Sequence, residues 1–248
     1  MEPVDYVLRL ADSQLIHGQR LADWCGHAPV LEEDIALANI ALDHIGQARG
    51  LLTLAGDLEG QGRDEDALAF GRLEGEYRNI TMVELPNGDF ARTLLRVFLW
   101  SSFARGLWTA LSSSSNPTLA GIAAKSLKEC RYHVRHSGDW VVRLGDGSEE
   151  SRRRMQQALV DLWPYTAEWF TVDDIDAQEE AAALGPAWHK LRDAWQAAVQ
   201  PALADATLTI PAHTPFLSTG KRGRHSEHMG PLLAEMQSVT RAFPGAVW

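Results

Sequence analysis

The chain lacks the features that identify several classes of protein. Cysteine is scarce, since the 248 residues include only Cys25 and Cys130, which form no C-x-x-C motif and suggest no disulfide framework. No apolar run approaches the roughly 20 residues of a membrane span, and the N-terminus lacks the basic-then-apolar pattern of a secretion signal. Acidic residues outnumber basic residues, and the formal charge of −10 argues against nucleic acid or an anionic membrane as the main partner. We therefore expect a cytoplasmic protein with reduced cysteines.

The alternating pattern of β-strands is almost absent from the sequence, and most of its apolar residues recur with helical periodicity. Hydrophobic residues make up 45% of the chain, which is ample for a core. We predict one all-α, ferritin-like helical domain over residues 1–248, because four long antiparallel helices with short connections form a bundle. The core helices are predicted at about 5–24, 31–55, 89–111 and 118–144. A further helix, 148–170, should kink near Pro164, and shorter helices should follow within 186–243.

The helix predicted at 31–55 carries two apolar stripes. One stripe steps along Leu31, Ile35, Ala38, Leu42, Ile45 and Leu52, with the spacing of a seam between packed helices. A second stripe lies on another side and predicts that the helix is buried inside the bundle; it consists of Leu37, Ala41, Ala48, Leu51 and Ala55. His44 and Gln47 lie within the helix at i, i+3 spacing and therefore project from one face. Buried polar groups of this kind are either a site or a hydrogen-bonded plug.

Interior polar residues in a helix bundle suggest the ferritin-like di-iron site. That site takes one carboxylate from each of two helices and a Glu-x-x-His from each of the other two. The four predicted core helices contain no Glu-x-x-His and have His44-x-x-Gln47 and Cys130-x-x-His133 instead. Glu129 and His133 share a helix face at i, i+4, which is a weak metal signal. Cys130 on that face is predicted to be a small buried hydrophobe.

Three segments carry a family resemblance. They are RLADWCGHAPVLEEDIALANIALDHIGQAR, LKECRYHVRHSGDW and TGKRGRHSEHMGPLLAEMQ. Together they resemble the structural C subunit of bacterial phenylacetyl-CoA epoxidase, the PaaC family, over nearly the whole chain. The resemblance implies a ferritin-like, non-catalytic partner of a related A subunit. That A subunit holds the di-iron centre, receives electrons through a reductase subunit, and inserts oxygen into the aromatic ring of phenylacetyl-CoA.

The resemblance also implies where ligands of the catalytic A subunit fall on this chain. The positions of that degenerate di-iron site are Gln19, His44, Gln47, Ser101, Cys130 and His133. Glu ligands are replaced at His44 and Cys130, a His ligand is replaced by Gln47, and only His133 remains. Gly46 is expected to permit close helix approach. We therefore predict no catalytic residue, no metal and no cofactor on this chain, and a polar plug at these positions.

A basic cluster near the C-terminus is unusual in an acidic protein. Lys221, Arg222 and Arg224 are candidates for contact with the phosphates of coenzyme A or with an acidic partner surface. The alternative is an ordinary solvated loop. His225 and His228 follow with ligand-like spacing, and their role is left open by the sequence.

Two other functions remain as alternatives. The chain could be a self-contained di-metal oxygenase with an unusual ligand set of Asp43, His44, Glu129 and His133. It could also be a free-standing helical bundle that binds acyl-CoA. The scaffold function comes from the resemblance, whereas the missing carboxylates are read directly from the residues.

Overall fold

The computed structural model describes residues 4–244 and Ala246, and within these residues it is helical without a β-strand. The α-helices, in chain order, are α1 Val4–Ala22, α2 Leu31–Glu59, α3 Glu65–Phe70, α4 Thr81–Glu84, α5 Phe90–Leu111, α6 Pro117–Gly145, α7 Glu149–Leu162, α8 Asp174–Ala181, α9 Arg192–Asp205, α10 Met229–Met236 and α11 Ser238–Ala242. Short 3-10 helices connect some of them, at Glu74–Glu76, Trp163–Phe170, Trp188–Leu191 and Gly220–Arg222. The predicted all-α class is confirmed.

Two compact units make up the described chain. The first unit contains the residues up to Pro86 and those from Ser218 onward, and the second unit is Asn87–Leu217. Each unit contains one pair of long helices, α1 with α2 and α5 with α6, in agreement with a ferritin-like bundle. That the whole chain is a single domain stays a prediction. None of the helices in the described ranges is long and apolar enough to cross a membrane.

The first unit is built on the antiparallel pair α1 and α2. His44 of α2 contacts Gln14 of α1, while Ile45 and Ala41 lie against Gly18, so the two helices run in opposite directions. α2 ends at Gly60, whose φ of 66° is the left-handed conformation that glycine adopts without strain. The residues after Ser218 belong to this unit, and their contacts with α4 are described below.

The apolar seam predicted on α2 is covered only toward its C-terminal end, where Leu52 is buried and Ile45 lies against Gly18. Leu31, Ile35 and Leu42 are 71%, 53% and 67% exposed, whereas Leu37, Ala41 and the rest of the second stripe are buried. The periodicity predicted a helix with two apolar sides correctly. It did not determine which side the neighbouring helix covers, because both stripes have helical spacing.

The second unit is built on α5 and α6. The Asp89 side chain caps the start of α5 by accepting a hydrogen bond from Arg92 N at 2.9 Å. The Asn116 side chain caps α6 in the same way by accepting from Leu119 N, and Pro117 is the first residue of that helix. α5 is buried along most of its length, as its apolar sequence predicted. The predicted kink at Pro164 is instead a change of helix type, because α7 ends at Leu162 and a 3-10 helix follows.

Candidate functional site

The polar residues of α2 lie in a buried polar cluster of the first unit. His44 and Gln47 are 2% and 5% exposed. His44 Nδ1 lies 2.5 Å from Gln14 Oε1, and its ring lies 4.6 Å from that of His17 at an angle of 46°. A neutral amide and two imidazoles therefore occupy this interior, with no carboxylate among these contacts.

The α1 residue predicted for this cluster is not the one that contacts His44. Gln19 is only half-buried, while Gln14 and His17 are 1% and 0% exposed. Gln14 and His17 share a face of α1 at i, i+3, a spacing that could have identified them in the sequence. Whether Gln19 corresponds to a ligand position stays a prediction.

The close approach of α1 and α2 depends on Gly18 rather than on Gly46. A Cβ at Gly18 would lie 2.9 Å from Ile45 Cδ1, whereas a Cβ at Gly46 would meet nothing within 4 Å. Gly46 is exposed, so the expectation that it permits close packing was wrong. Gly18 fits a tight interface because it has no side chain to displace.

The second unit places Ser101, Cys130 and His133 in its interior, each at most 2% exposed. The Cys130 thiol donates a hydrogen bond to the Ser101 carbonyl at 3.1 Å. Burial, together with the charge of Glu129, raises the pKa of Cys130 to about 12. The thiol is therefore protonated at neutral pH, which argues against a reactive nucleophile.

Glu129 borders this buried face of α6. Its carboxylate lies 3.7 Å from Lys125 Nζ at the helix surface, where the Lys125 side chain is 74% exposed. On the interior side, the Ser137 hydroxyl donates to the His133 carbonyl at 2.6 Å. The buried polar side chains on this face of α6 are Ser126, Cys130, His133 and Ser137, and none of them carries a carboxylate.

These donors do not fit a centre of two iron ions. Oxidised iron needs several carboxylates to balance its charge. None of the residues at the six degenerate ligand positions is Asp or Glu. Within the described ranges, no group of three or more His, Cys, Asp or Glu side chains is arranged to hold a metal ion. No chemistry through such a centre follows from this chain.

The basic cluster after Thr219 is only partly at the surface. Lys221 is 1% exposed, which a solvated loop would not allow, while Arg222 and Arg224 are exposed. The segment is held against the start of α4, since Gly220 N donates to Thr81 Oγ1 at 3.1 Å. A contact with phosphate groups therefore stays a prediction for the two arginines alone.

His225 is part of a buried ion pair. Its Nδ1 lies 2.7 Å from Glu84 Oε2, and its Nε2 lies 3.1 Å from the Tyr77 carbonyl. Glu84 also accepts from Asn79 Nδ2 at 2.8 Å and from Ser226 N at 2.6 Å. A carboxylate oxygen and a backbone carbonyl each accept a hydrogen bond from a protonated ring nitrogen. His225 is therefore an imidazolium with both nitrogens donating.

This geometry excludes His225 as a metal ligand. Burial disfavours the charge on the ring, but the hydrogen bond and the charge of Glu84 outweigh it and raise the pKa of His225. His228 is different, because it is half-exposed and lies 3.8 Å from the exposed carboxylate of Glu227. The ligand-like spacing of the two histidines does not produce a site.

Comparisons with known proteins cover both units. A family model with the description phenylacetic acid catabolic protein, PaaA_PaaC, matches residues 1–248. The chain is also 49% identical over 245 residues to a protein of Escherichia coli (strain K12) that is named as the C subunit of 1,2-phenylacetyl-CoA epoxidase. That similarity covers 98% of both chains. The family resemblance predicted from the three sequence segments is confirmed.

Proposed function

Because the chain belongs to the PaaA_PaaC family of phenylacetic acid catabolic proteins, we propose that it is a structural, non-catalytic subunit of a cytoplasmic phenylacetyl-CoA epoxidase. In this assembly a related A subunit holds the di-iron centre, and a reductase subunit supplies the electrons. O2 then provides the oxygen atom that forms an epoxide on the aromatic ring of the acyl-CoA. The present chain binds and stabilises the A subunit.

Buried polar contacts in each of the two units support the non-catalytic part of this proposal. His44 is engaged with Gln14, and Cys130 is held as a neutral thiol against the Ser101 carbonyl. The His44 Nδ1 atom and the Cys130 thiol thus have protein partners rather than a metal, in agreement with a structural role for these two groups. A bundle that keeps its helices without the ligands keeps surfaces for packing against a partner.

The observation that carries the proposal is the exposed apolar stripe of α2. Leu31, Ile35 and Leu42 project from one side of this helix and are 53–71% exposed. Val30, at 50% exposed, extends the stripe at its N-terminal end. Isolated exposed leucines are ordinary, but a row along one helix marks an interaction surface. We assign this α2 stripe to contact with the A subunit.

Co-purification tests this assignment. The A subunit carries an affinity tag, and the full-length chain is either wild type or carries Leu31→Asp with Leu42→Asp. We expect wild type to co-elute at stoichiometric yield and the double variant to bind at least tenfold more weakly, because a charge at the centre of an interface is poorly solvated.

Leu73→Asp is the matched control, since Leu73 is 69% exposed and lies outside α2. It should co-elute like wild type. Equal binding by the double variant would remove the α2 assignment, and failure of wild type to bind the A subunit at low and moderate salt would overturn the proposed function. Stoichiometric iron or manganese in the isolated, purified chain would favour a self-contained oxygenase instead.

A further inference from the structure

A cavity in the second unit has no role in the function proposed above. It has a volume of about 330 Å³ and lies between the 3-10 helix Trp163–Phe170, α9 and the loop around His213. Ligand pockets in proteins have volumes of roughly 300–1,000 Å³. The cavity therefore has space for one small molecule and is too small for a coenzyme A ester.

Aromatic rings form its apolar wall. Trp163 and Trp195 are stacked, with centroids 5.4 Å apart and an angle of 28°, and Phe170 lies 5.3 Å from Trp195. The Trp195 indole is fixed because its Nε1 donates to the Leu99 carbonyl at 3.1 Å. A rigid wall of ring faces and edges favours a planar aromatic group over a flexible aliphatic one.

The polar side of the cavity is cationic. The Arg192 guanidinium lies 5.1 Å from the centroid of the Phe170 ring, at the start of α9. Gln196 and Gln200 follow at i+4 and i+8, so they line the same side of the helix, and His213 faces them from the loop. Among the described residues that line the cavity there is no Asp or Glu, in a chain of net charge −10.

These polar ends are available to a ligand. Arg192 makes the cation–π contact with Phe170, and none of the hydrogen bonds or ion pairs among the described residues involves its guanidinium. The same holds for the side chains of Gln196, Gln200 and His213. A guanidinium that rests on an aromatic ring with its N–H groups open is suited to a carboxylate, which it binds through two parallel hydrogen bonds.

We propose that this cavity binds a small aromatic carboxylate. The ring of the ligand lies against Trp163 and Phe170, and its carboxylate accepts hydrogen bonds from Arg192, with the side-chain amides of α9 as further donors. The site is separate from the degenerate ligand positions, because none of the six residues lines it. It gives the chain a binding activity for a free acid, which neither a scaffold role nor a di-iron partner requires.

Isothermal titration of the full-length chain with phenylacetate tests the proposal. We expect saturable binding with one site per chain. Phenylacetamide, which has the same shape without the charge, and cyclohexylacetate, which has the charge without the aromatic ring, should each bind several-fold more weakly. Arg192→Gln should weaken phenylacetate binding about tenfold or more, since a charge-assisted bidentate contact is lost.

Arg143→Gln is the matched control, because Arg143 is also exposed and lies 5.0 Å from an aromatic centroid, that of Trp140, but does not line the cavity. It should bind phenylacetate like wild type. Unchanged thermal unfolding of Arg192→Gln would establish that the variant is folded. The proposal is overturned by absence of saturable binding up to millimolar phenylacetate, by equal affinity for phenylacetamide, or by equal losses in Arg192→Gln and Arg143→Gln.

Discussion

The two compact units hold distant parts of the chain together by different means. In the first unit, buried charges do so: Asp12 pairs with Arg72, and Glu84 pairs with His225 across 141 residues of sequence. In the second unit, aromatic rings do so, with Trp100, Phe103, Trp169 and Trp188 packed around one another. The stability of the first unit should therefore depend on pH and fall when a buried charge is removed. The stability of the second unit should fall when a large buried side chain is truncated.

The polar network of the first unit fixes its C-terminal segment to the rest of the unit. Arg72 Nη1 donates to Asp12 Oδ2 at 3.0 Å and its guanidinium lies 4.2 Å from the Tyr77 centroid. Gln237 Nε2 donates to the Arg72 carbonyl at 2.9 Å and to the Tyr77 hydroxyl at 3.1 Å. Directional contacts of this kind specify one arrangement, whereas ring packing in the second unit is less directional.

The largest effect should come from the aromatic cluster. Trp169 is fully buried, with Phe103 and Trp195 at 5.3 and 5.5 Å, so Trp169→Ala leaves a large cavity. We expect a loss of about 3–5 kcal/mol in the free energy of unfolding of the second unit. Urea unfolding followed by tryptophan fluorescence measures it, because all tryptophans except Trp24 and Trp248 lie in that unit's sequence. Trp140→Ala, whose ring is half-buried, is the control and should cost much less.

Arg72→Met should cause the next largest loss of stability, and this loss should occur in the first unit. It leaves the Asp12 carboxylate buried with the Arg78 backbone N–H, at 2.8 Å, as a remaining donor. We expect a loss of about 3 kcal/mol, measured in urea by hydrogen exchange of α1 and α3 peptides. Arg153→Met removes an exposed pair with Glu150 and should change nothing measurable. Equal losses in the two variants would contradict the role of burial.

The stability lost on replacing the buried imidazolium should depend on pH. Because the folded pKa of His225 is raised above its ordinary value of 6.5, its contribution is fully present below about pH 6.5 and is lost as pH rises through the folded value. Charged groups near the pair include Glu74 and Arg20, whose guanidinium donates to the Glu84 carbonyl at 2.8 Å. We expect His225→Gln to cost about 2 kcal/mol at low pH and less at high pH.

Urea unfolding of wild type and His225→Gln at a series of pH values provides this measurement. His228→Gln is the control, because His228 is half-exposed, and its unfolding should follow the wild-type pH dependence. A constant difference between wild type and His225→Gln across the series would rule out the buried ion pair as the source of the pH effect.

The smallest effect is expected at the degenerate ligand positions, which are divided between the units. His44→Glu with Gln47→His restores Glu-x-x-His in the first unit only, while Cys130 and Ser101 remain in the second. We expect metal analysis after reconstitution with ferrous iron to give no stoichiometric iron, as for wild type. One or more bound iron ions per chain would contradict the conclusion that the donor set is insufficient.

Much of the local structure was predictable. Most long helices begin and end within a few residues of the predicted bounds, because Asp89 and Asn116-Pro117 are local signals for helix starts. α2 continues to Glu59, beyond its predicted end at residue 55. The burial of His44, Gln47, Cys130 and His133 was also predicted from their positions in apolar helices. The predictions of burial that failed were those that depend on which other helix or loop covers a residue. Examples are the exposed α2 stripe and the buried Lys221.

The helices, the missing ligand carboxylates and the family follow from the sequence alone, since each is encoded by residues close together or by overall similarity. Three features became visible only in the folded chain: His225 is paired with Glu84, Gln14 rather than Gln19 contacts His44, and an aromatic cavity borders Arg192. A helix and its apolar faces are determined by residues within one or two helical turns of each other. Which faces are then brought together depends on packing between residues far apart in the chain, and two apolar stripes of equal spacing are indistinguishable until one is covered.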